Sequence, residues 1–187
     1  MADLVFVNSV MNSGKTARLL EMDFNYRRIG KKTLLFKSGI DNREKTIKSR
    51  NGLEADCLLL NDKNDFKKMK DVDLVLIDEA QFLSKKDIDR LRKISLTKDI
   101  HIYCFGLKLD FKGNLFKGSK RLLEVADHID ELKTMCLCGK KATMNIKYDN
   151  KTGLVIRDGD SIDCGYEDMY MSVCYKHWKV KNISEII

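Results

Sequence analysis

An α/β fold built on a mainly parallel sheet is what this sequence predicts, and three features carry that expectation. Four short apolar runs have the length and composition of strands buried on both faces. Segments of helical spacing alternate with them, which places helices on the faces of a parallel sheet. After about residue 134 the character changes to clustered turn residues and strand-like alternation, with four of the six cysteines. This gives a core over residues 1–134 and a small unit over 135–187, too small to bury a core of its own without a staple.

The elements follow in chain order. "LVFV" at residues 4–7 reads as the first strand. A helix starts at Lys15, with apolar Ala17, Leu19, Leu20, Met22 and Phe24, and ends at Gly30, a natural C-terminal cap. "KTLLFKS" (32–38), "DLVLID" (73–78) and "IHIYCFG" (100–106) read as the next three strands. Between the last two, "SKKDIDRLRKI" has helical spacing, with Ser84 as N-cap and Asp87 three residues on. Residues 39–57 are polar and aperiodic, so a long functional or mobile loop is expected there.

Composition narrows the function classes. The 187 residues are 43% hydrophobic and 34% charged, the profile of a globular chain, which excludes disordered and fibrous classes. No run approaches the ~18 apolar residues of a membrane span. "MADLVFVNSV" has neither a basic leader nor a following cleavage site, so a cytoplasmic protein is expected. In a reducing compartment its cysteines are buried thiols, metal ligands or catalytic groups. The net charge of +7 favours anionic partners, nucleoside triphosphate and nucleic acid alike. Proline is absent, so turns and helix ends rest on Gly, Asn and Asp.

The stretch "SVMNSGKT", Ser9-Val10-Met11-Asn12-Ser13-Gly14-Lys15-Thr16, lies between the first strand and the first helix. Such a loop presents backbone N–H groups and a helix N-terminus to a phosphate. Lys15 would reach the β- and γ-phosphates and the Thr16 hydroxyl would ligate Mg²⁺. Ser9 stands where the usual pattern has glycine, so by itself the match is moderate. The second half of the site strengthens it: "DLVLID" ends in Asp78-Glu79, at the sheet edge where an acidic residue facing the metal belongs. Asp78 would hold Mg²⁺ through water and Glu79 would be free to accept a proton. Phosphoryl transfer needs positioning, charge neutralisation and an oriented nucleophile, so these motifs fit an ATPase and a kinase equally.

Two closely spaced pairs, Cys136-x-Cys138 and Cys174-x-x-His177, suit a tetrahedral Cys₃His zinc site. With four protein ligands the zinc would be structural and would staple the small unit. Cys57 and Cys104 read as ordinary thiols, and Cys164 is ambiguous.

Taken together, these motifs resemble the type II, zinc-containing thymidine kinases, and the bacterial and phage branch above all. "SVMNSGK", "IDNR" (40–43), "DEAQF" (78–82), "GLKLDFKGNLFKGSKRLLEVAD" (106–127), "ELKTMCLCGKKATM" (131–144) and "YMSVCYKHW" (170–178) all look like segments of that family. The resemblance implies a recombinase-like P-loop core with a small zinc-ribbon and lasso lid. It implies transfer of the γ-phosphate of ATP to the 5′-hydroxyl of thymidine or deoxyuridine, with Mg²⁺, a structural Zn²⁺, and usually a homotetramer. No stable nucleic-acid or membrane partner is expected. Glu79 matches the general base. Residues 9–16, Asp41, Arg43, Asp78 and Gln81 match the ATP-binding segments. Phe111 matches an aromatic residue against the thymine, and Met11, Leu107 and Tyr170 match the apolar surround. The lasso over the nucleoside matches Asp163, Cys164, Gly165, Tyr166 and Glu167, where the family commonly has Val-Ile-Gly-Gly, and recognition through backbone groups tolerates that change. A site pairing with the thymine edge would leave its groups unpaired with cytosine, and such rejection can reach ~10⁴-fold.

Two rival classes use fewer of these features. A P-loop ATPase of nucleic-acid metabolism would use the zinc unit and Lys108, Lys112, Lys117, Lys120 and Arg121, near Phe111 and Phe116, to grip DNA. A non-catalytic zinc-ribbon module would need a dead phosphate site, yet Lys15, Thr16, Asp78 and Glu79 are all present.

Overall fold

The computed structural model describes residues 2–38, 45–159 and 170–186. Its larger sheet has six strands, all parallel: β1 (Leu4–Ser9), β2 (Thr33–Ser38), β5 (Leu58–Leu60), β6 (Leu74–Asp78), β7 (His101–Leu107) and β8 (His128–Leu132), in the order β5-β2-β6-β7-β1-β8. Every residue of β1 and β6 is buried, because helices cover both faces. Val5 and Val7 of β1 pack with Leu19 and Leu20 of α1 (Lys15–Arg28) and with Leu35, Leu74, Leu76 and Phe105. Leu4 and Phe6 point the other way, into a cluster with Ile88 and Leu91 of α2 (Lys85–Lys98) and Leu122 of α3 (Lys117–Val125). The side-chain period of two divides one strand between two cores, hence the continuous apolar runs.

Helix ends follow local chemistry. Ser84 caps α2: its hydroxyl accepts from the Asp87 N–H, and the Asp87 carboxylate accepts from the Ser84 N–H. Beyond α1, Gly30 takes φ 79° and donates to the Arg27 carbonyl, closing the helix. Without proline, left-handed turns also fall to Asn12, Asp71 and Asp99.

The expectation of a loop over residues 39–57 needs correction for the part described. Residues 45–57 contain an antiparallel hairpin, β3 (Thr46–Lys48) with β4 (Glu54–Asp56), before β5. Its single strong apolar anchor, Ile47, is 1% exposed, and the Ser49 N–H donates to the Leu53 carbonyl to close the turn. One buried residue leaves no periodic signal. No sequence expectation covers α3, β5 or β8; four of the five residues of β8 are exposed at the sheet edge.

A second sheet of three antiparallel strands, β10 (Val155–Ile156), β9 (Met144–Tyr148) and β11 (Tyr170–Val173), is followed by a single turn, α4 (Tyr175–Trp178). Its core of Ala142, Met144, Ile146 and Val173 also takes in Val10, from the loop after β1. That contact brings the small sheet against the phosphate-loop motif.

Candidate active site

β1 ends at Ser9 and β6 at Asp78, on the same edge of the sheet with only β7 between them. The loop after β1 turns through Asn12 at φ 57° and Gly14 at φ 78° and delivers Lys15 and Thr16 into the first turn of α1. Alternation of this kind aims successive N–H groups at one point, a concavity suited to an anion. The Ser13 hydroxyl inside this loop is buried and has no hydrogen-bond partner among the described residues. An orphaned donor in an anion cradle fits a phosphate oxygen.

Charges converge on the same place. Lys15 is 9% exposed, and its Nζ lies 3.5 Å from the Val10 carbonyl. Burial lowers its pKa, opposed by Glu79 and Asp78. The Thr16 hydroxyl donates to Asp78 Oδ2 at 3.2 Å, and the Glu79 N–H donates to Asp78 Oδ1 at 2.9 Å. Asp78 is pushed up to about 6, first by burial and then by the charge of Glu79, with Lys15 opposing. The Thr16 hydroxyl and Asp78 carboxylate are hard oxygen donors of the kind that Mg²⁺ selects.

Glu79 sits at φ 55°, ψ 35°, a left-handed conformation costing a non-glycine residue ~1 kcal/mol or more. The turn is held by its neighbours. The Gln81 side-chain amide donates to the Glu79 carboxylate, while its carbonyl oxygen accepts from the Leu107 N–H at 3.0 Å. Gln81 itself is 1% exposed, while Glu79 and Leu107 at either end of the link are half-buried. Two glycines permit it: a Cβ on Gly106 would lie 2.7 Å from Gln81 Oε1, and one on Gly118 would lie 2.6 Å from the Ala80 carbonyl oxygen. The Ser119 hydroxyl then donates to the Leu107 carbonyl at 2.6 Å. Sequence reasoning grouped Gln81 with nucleotide contacts; among the described residues its partners are Glu79 and Leu107.

Phe111 is 2% exposed, in a turn tied by the Asn114 N–H to Asp110 Oδ1 at 2.8 Å. Its ring meets Tyr170 edge to face at 6.3 Å between centroids, with Lys112 and Lys147 Nζ each 5.7 Å from its centre. Its carbonyl accepts from the Trp178 indole N–H at 3.1 Å. Phe111 and Tyr170 are thus together, while Leu107 stands beside Gln81 and Met11 opens the phosphate loop. Asp41, Arg43, Asp163, Cys164, Gly165, Tyr166 and Glu167 lie outside the described residues.

The second cluster joins the two cysteine motifs. One ligand atom each from Cys136, Cys138, Cys174 and His177 fall within 4.8 Å of one another. Cys136 Sγ is 3.2 Å from His177 Nδ1, and Cys138 Sγ is 3.9 Å from Cys174 Sγ. Tetrahedral zinc with Zn–S of about 2.3 Å needs sulfurs roughly 3.8 Å apart, so the donor set fits. Cys174 is the N-cap residue of α4, where the backbone N–H groups of His177 and Lys176 lower its pKa, whereas burial raises that of Cys136. Two residues that sequence reasoning missed, Asn145 and Ser172, contact the phosphate loop itself. The Asn145 carbonyl oxygen accepts from the Met11 N–H at 2.9 Å, and the Ser172 hydroxyl donates to the Met11 carbonyl. They lie 134 and 161 residues from Met11, so no local motif marks them.

Comparison with known proteins places this arrangement in context. A family model described as thymidine kinase matches residues 2–178. The thymidine kinase of Photobacterium profundum is 44% identical over 188 residues, covering 96% of this chain and 97% of that protein. That of Photorhabdus laumondii is 42% identical, covering 95% and 92%, and that of Haemophilus influenzae (strain KW20 / Rd) is 40% identical, covering 97% and 98%. Among solved structures, the Pif1 helicase from Candida albicans is similar at a TM-score of 0.42 and 13% identity, over 70% of this chain and 36% of that one.

Proposed function

Because the chain belongs to the thymidine kinase family, we propose that it transfers the γ-phosphate of ATP to the 5′-hydroxyl of thymidine, with deoxyuridine as a second acceptor. The observation that carries this reading is the convergence of Lys15, Thr16, Asp78 and Glu79 at one sheet edge, beside an orphaned Ser13 hydroxyl. In this reading the loop amides and Lys15 hold the β- and γ-phosphates. Thr16 and Asp78 would hold Mg²⁺, which neutralises charge developing between the phosphates during transfer. Glu79 accepts the proton of the attacking 5′-hydroxyl, and Gln81 keeps that carboxylate in place. Phe111 and Tyr170, with Met11 and Leu107, form the apolar side of the base site, and residues 163–167 contribute to nucleoside binding.

Cys136, Cys138, Cys174 and His177 would hold a structural Zn²⁺, so that residues 135–187 form a stapled lid on the core of 1–134. A homotetramer working in the cytoplasm completes the reading. No helix among the described residues is long and apolar enough to cross a membrane.

The test is an assay with Mg·ATP and, in turn, thymidine, deoxycytidine, deoxyadenosine or single-stranded DNA, following nucleoside monophosphate and free phosphate separately. Thymidine monophosphate without excess free phosphate is expected. Phosphate released only with DNA would overturn the kinase reading in favour of a nucleic-acid-dependent ATPase.

A further inference from the structure

The first turn of the phosphate loop is gripped from outside the six-stranded sheet. Asn145 on β9 and Ser172 on β11 are direct cross-strand partners, so their side chains leave the small sheet on the same face. Both are turned to Met11: one accepts its N–H, the other donates to its carbonyl. Asn145 is 2% exposed and Ser172 9%, so both gripping side chains are themselves buried. The Asn145 amide is itself oriented, its NH₂ donating to the Leu109 carbonyl at 3.2 Å. The preceding residue, Val10, is packed into the apolar core beneath the same strands.

We propose that Asn145 and Ser172 are positioning residues for the phosphoryl donor, which pre-set the phosphate loop by fixing the Met11 residue at both its polar groups. With the Met11 N–H committed to Asn145, the turn through Asn12 and Gly14 starts from one orientation. The Ser13 hydroxyl and the amides that follow then face a common point before any nucleotide arrives. Released from the grip, the loop samples other orientations, and nucleotide binding must then supply the ordering. Ser172 lies two residues before Cys174, so the strand that carries half of the grip also enters the metal-ligand cluster. The inference rests on the reading of this loop as the ATP site but not on the identity of the acceptor.

The experiment is a calorimetric titration of Mg·ATP into the full-length protein and its Ser172→Ala, Asn145→Leu, doubly substituted and Ser172→Thr variants, with hydrogen exchange followed at the Met11 amide. Each single loss of a hydrogen bond is expected to raise Kd about 5- to 30-fold. The double variant should rise by less than the product of the two, because both groups act on one residue. Ser172→Thr keeps the hydroxyl and should stay within about twofold of the unsubstituted chain. Asn145→Leu should speed exchange at Met11. A merely structural role would lower the melting temperature without raising Kd, and that result would overturn the proposal, as would a Ser172→Thr variant as weak as Ser172→Ala. Should Asn145→Leu fail to fold, Ser172→Ala and Ser172→Thr decide the matter. The titration needs no thymidine: a chain that binds Mg·ATP but forms no thymidine monophosphate would refute the acceptor and leave this comparison intact.

Discussion

The Thr16 hydroxyl donates to Asp78 at 3.2 Å across 62 residues of sequence, tying the first turn of α1 to the end of β6. In the proposed function these two side chains would hold Mg²⁺, so each partner's removal has a definite consequence. Thr16→Ala would remove one of the two proposed Mg²⁺ ligands and leaves Asp78 Oδ2 without the Thr16 donor. Affinity for Mg·ATP should fall about tenfold or more, with a smaller effect in Thr16→Ser, which retains the hydroxyl. Nucleotide titrations of the two variants check this.

Asp78 makes the site sensitive to acid. Its pKa is pushed up to about 6, above the ordinary carboxylate value of ~3.9. Between those values the folded, nucleotide-free protein holds a proton that the unfolded chain has released. The group's contribution to stability is therefore full below pH ~4 and lost as pH rises through about 6. If Asp78 holds Mg²⁺ as proposed, it does so as the carboxylate, and Mg·ATP affinity should weaken by up to about tenfold per unit as pH falls below 6. Titrations between roughly pH 5 and 7.5 should show the slope, and a flat affinity across that range would contradict it.

Gln81 separates positioning from binding. Its replacement by Leu leaves the Glu79 carboxylate without its donor and the Leu107 N–H without its acceptor. We expect kcat to drop about tenfold or more while the KM for ATP stays within about twofold. A rise in the KM for ATP with kcat intact would instead return Gln81 to the nucleotide-contact set.

Gly118→Ala tests the packing behind that link. The added methyl would meet three carbonyl oxygens, of Ala80, Gln81 and Leu83, at 2.6 to 2.8 Å. Backbone atoms cannot swing aside as a flexible side chain can, so α3 must shift. A loss of about 1–3 kcal/mol in stability is expected from denaturant unfolding, with kcat reduced in the folded fraction because the Glu79 turn moves with its support.

These sites differ in how far the sequence announces them. The phosphate loop and Asp78-Glu79 are visible because each is a contiguous string at the end of an apolar strand. The strands β1, β2, β6 and β7 are visible because burial on both faces leaves unbroken apolar runs. β8 is hidden, since "HIDEL" takes its place through backbone pairing with β1 and the Asn8 amide to the Asp130 carbonyl at 2.8 Å, not through apolar side chains. The β3–β4 hairpin is hidden because only Ile47 is fully buried within it. Asn145 and Ser172 look like ordinary strand residues until the chain is folded, and the link from Gln81 to Glu79 and Leu107 depends on two close approaches at glycine.

Metal removal addresses the small sheet. The protein should bind about one zinc per chain, and Cys136→Ser or a strong chelator should lower the melting temperature on the order of 10 °C. Cys104, buried in the main core and with its thiol pushed well up by that burial, should neither bind the metal nor react with thiol reagents in the folded state. An unchanged melting curve after complete zinc loss would remove the staple from this account.

The most direct test of the central claim follows radiolabelled γ-phosphate from Mg·ATP in the unsubstituted protein and in Glu79→Gln, with thymidine as acceptor. The label should appear in thymidine monophosphate, and Glu79→Gln should bind ATP with near-normal affinity while transferring label some 10²- to 10⁴-fold more slowly. Label found only in inorganic phosphate, or transfer by Glu79→Gln at the unsubstituted rate, would contradict a thymidine kinase that uses Glu79 as its base.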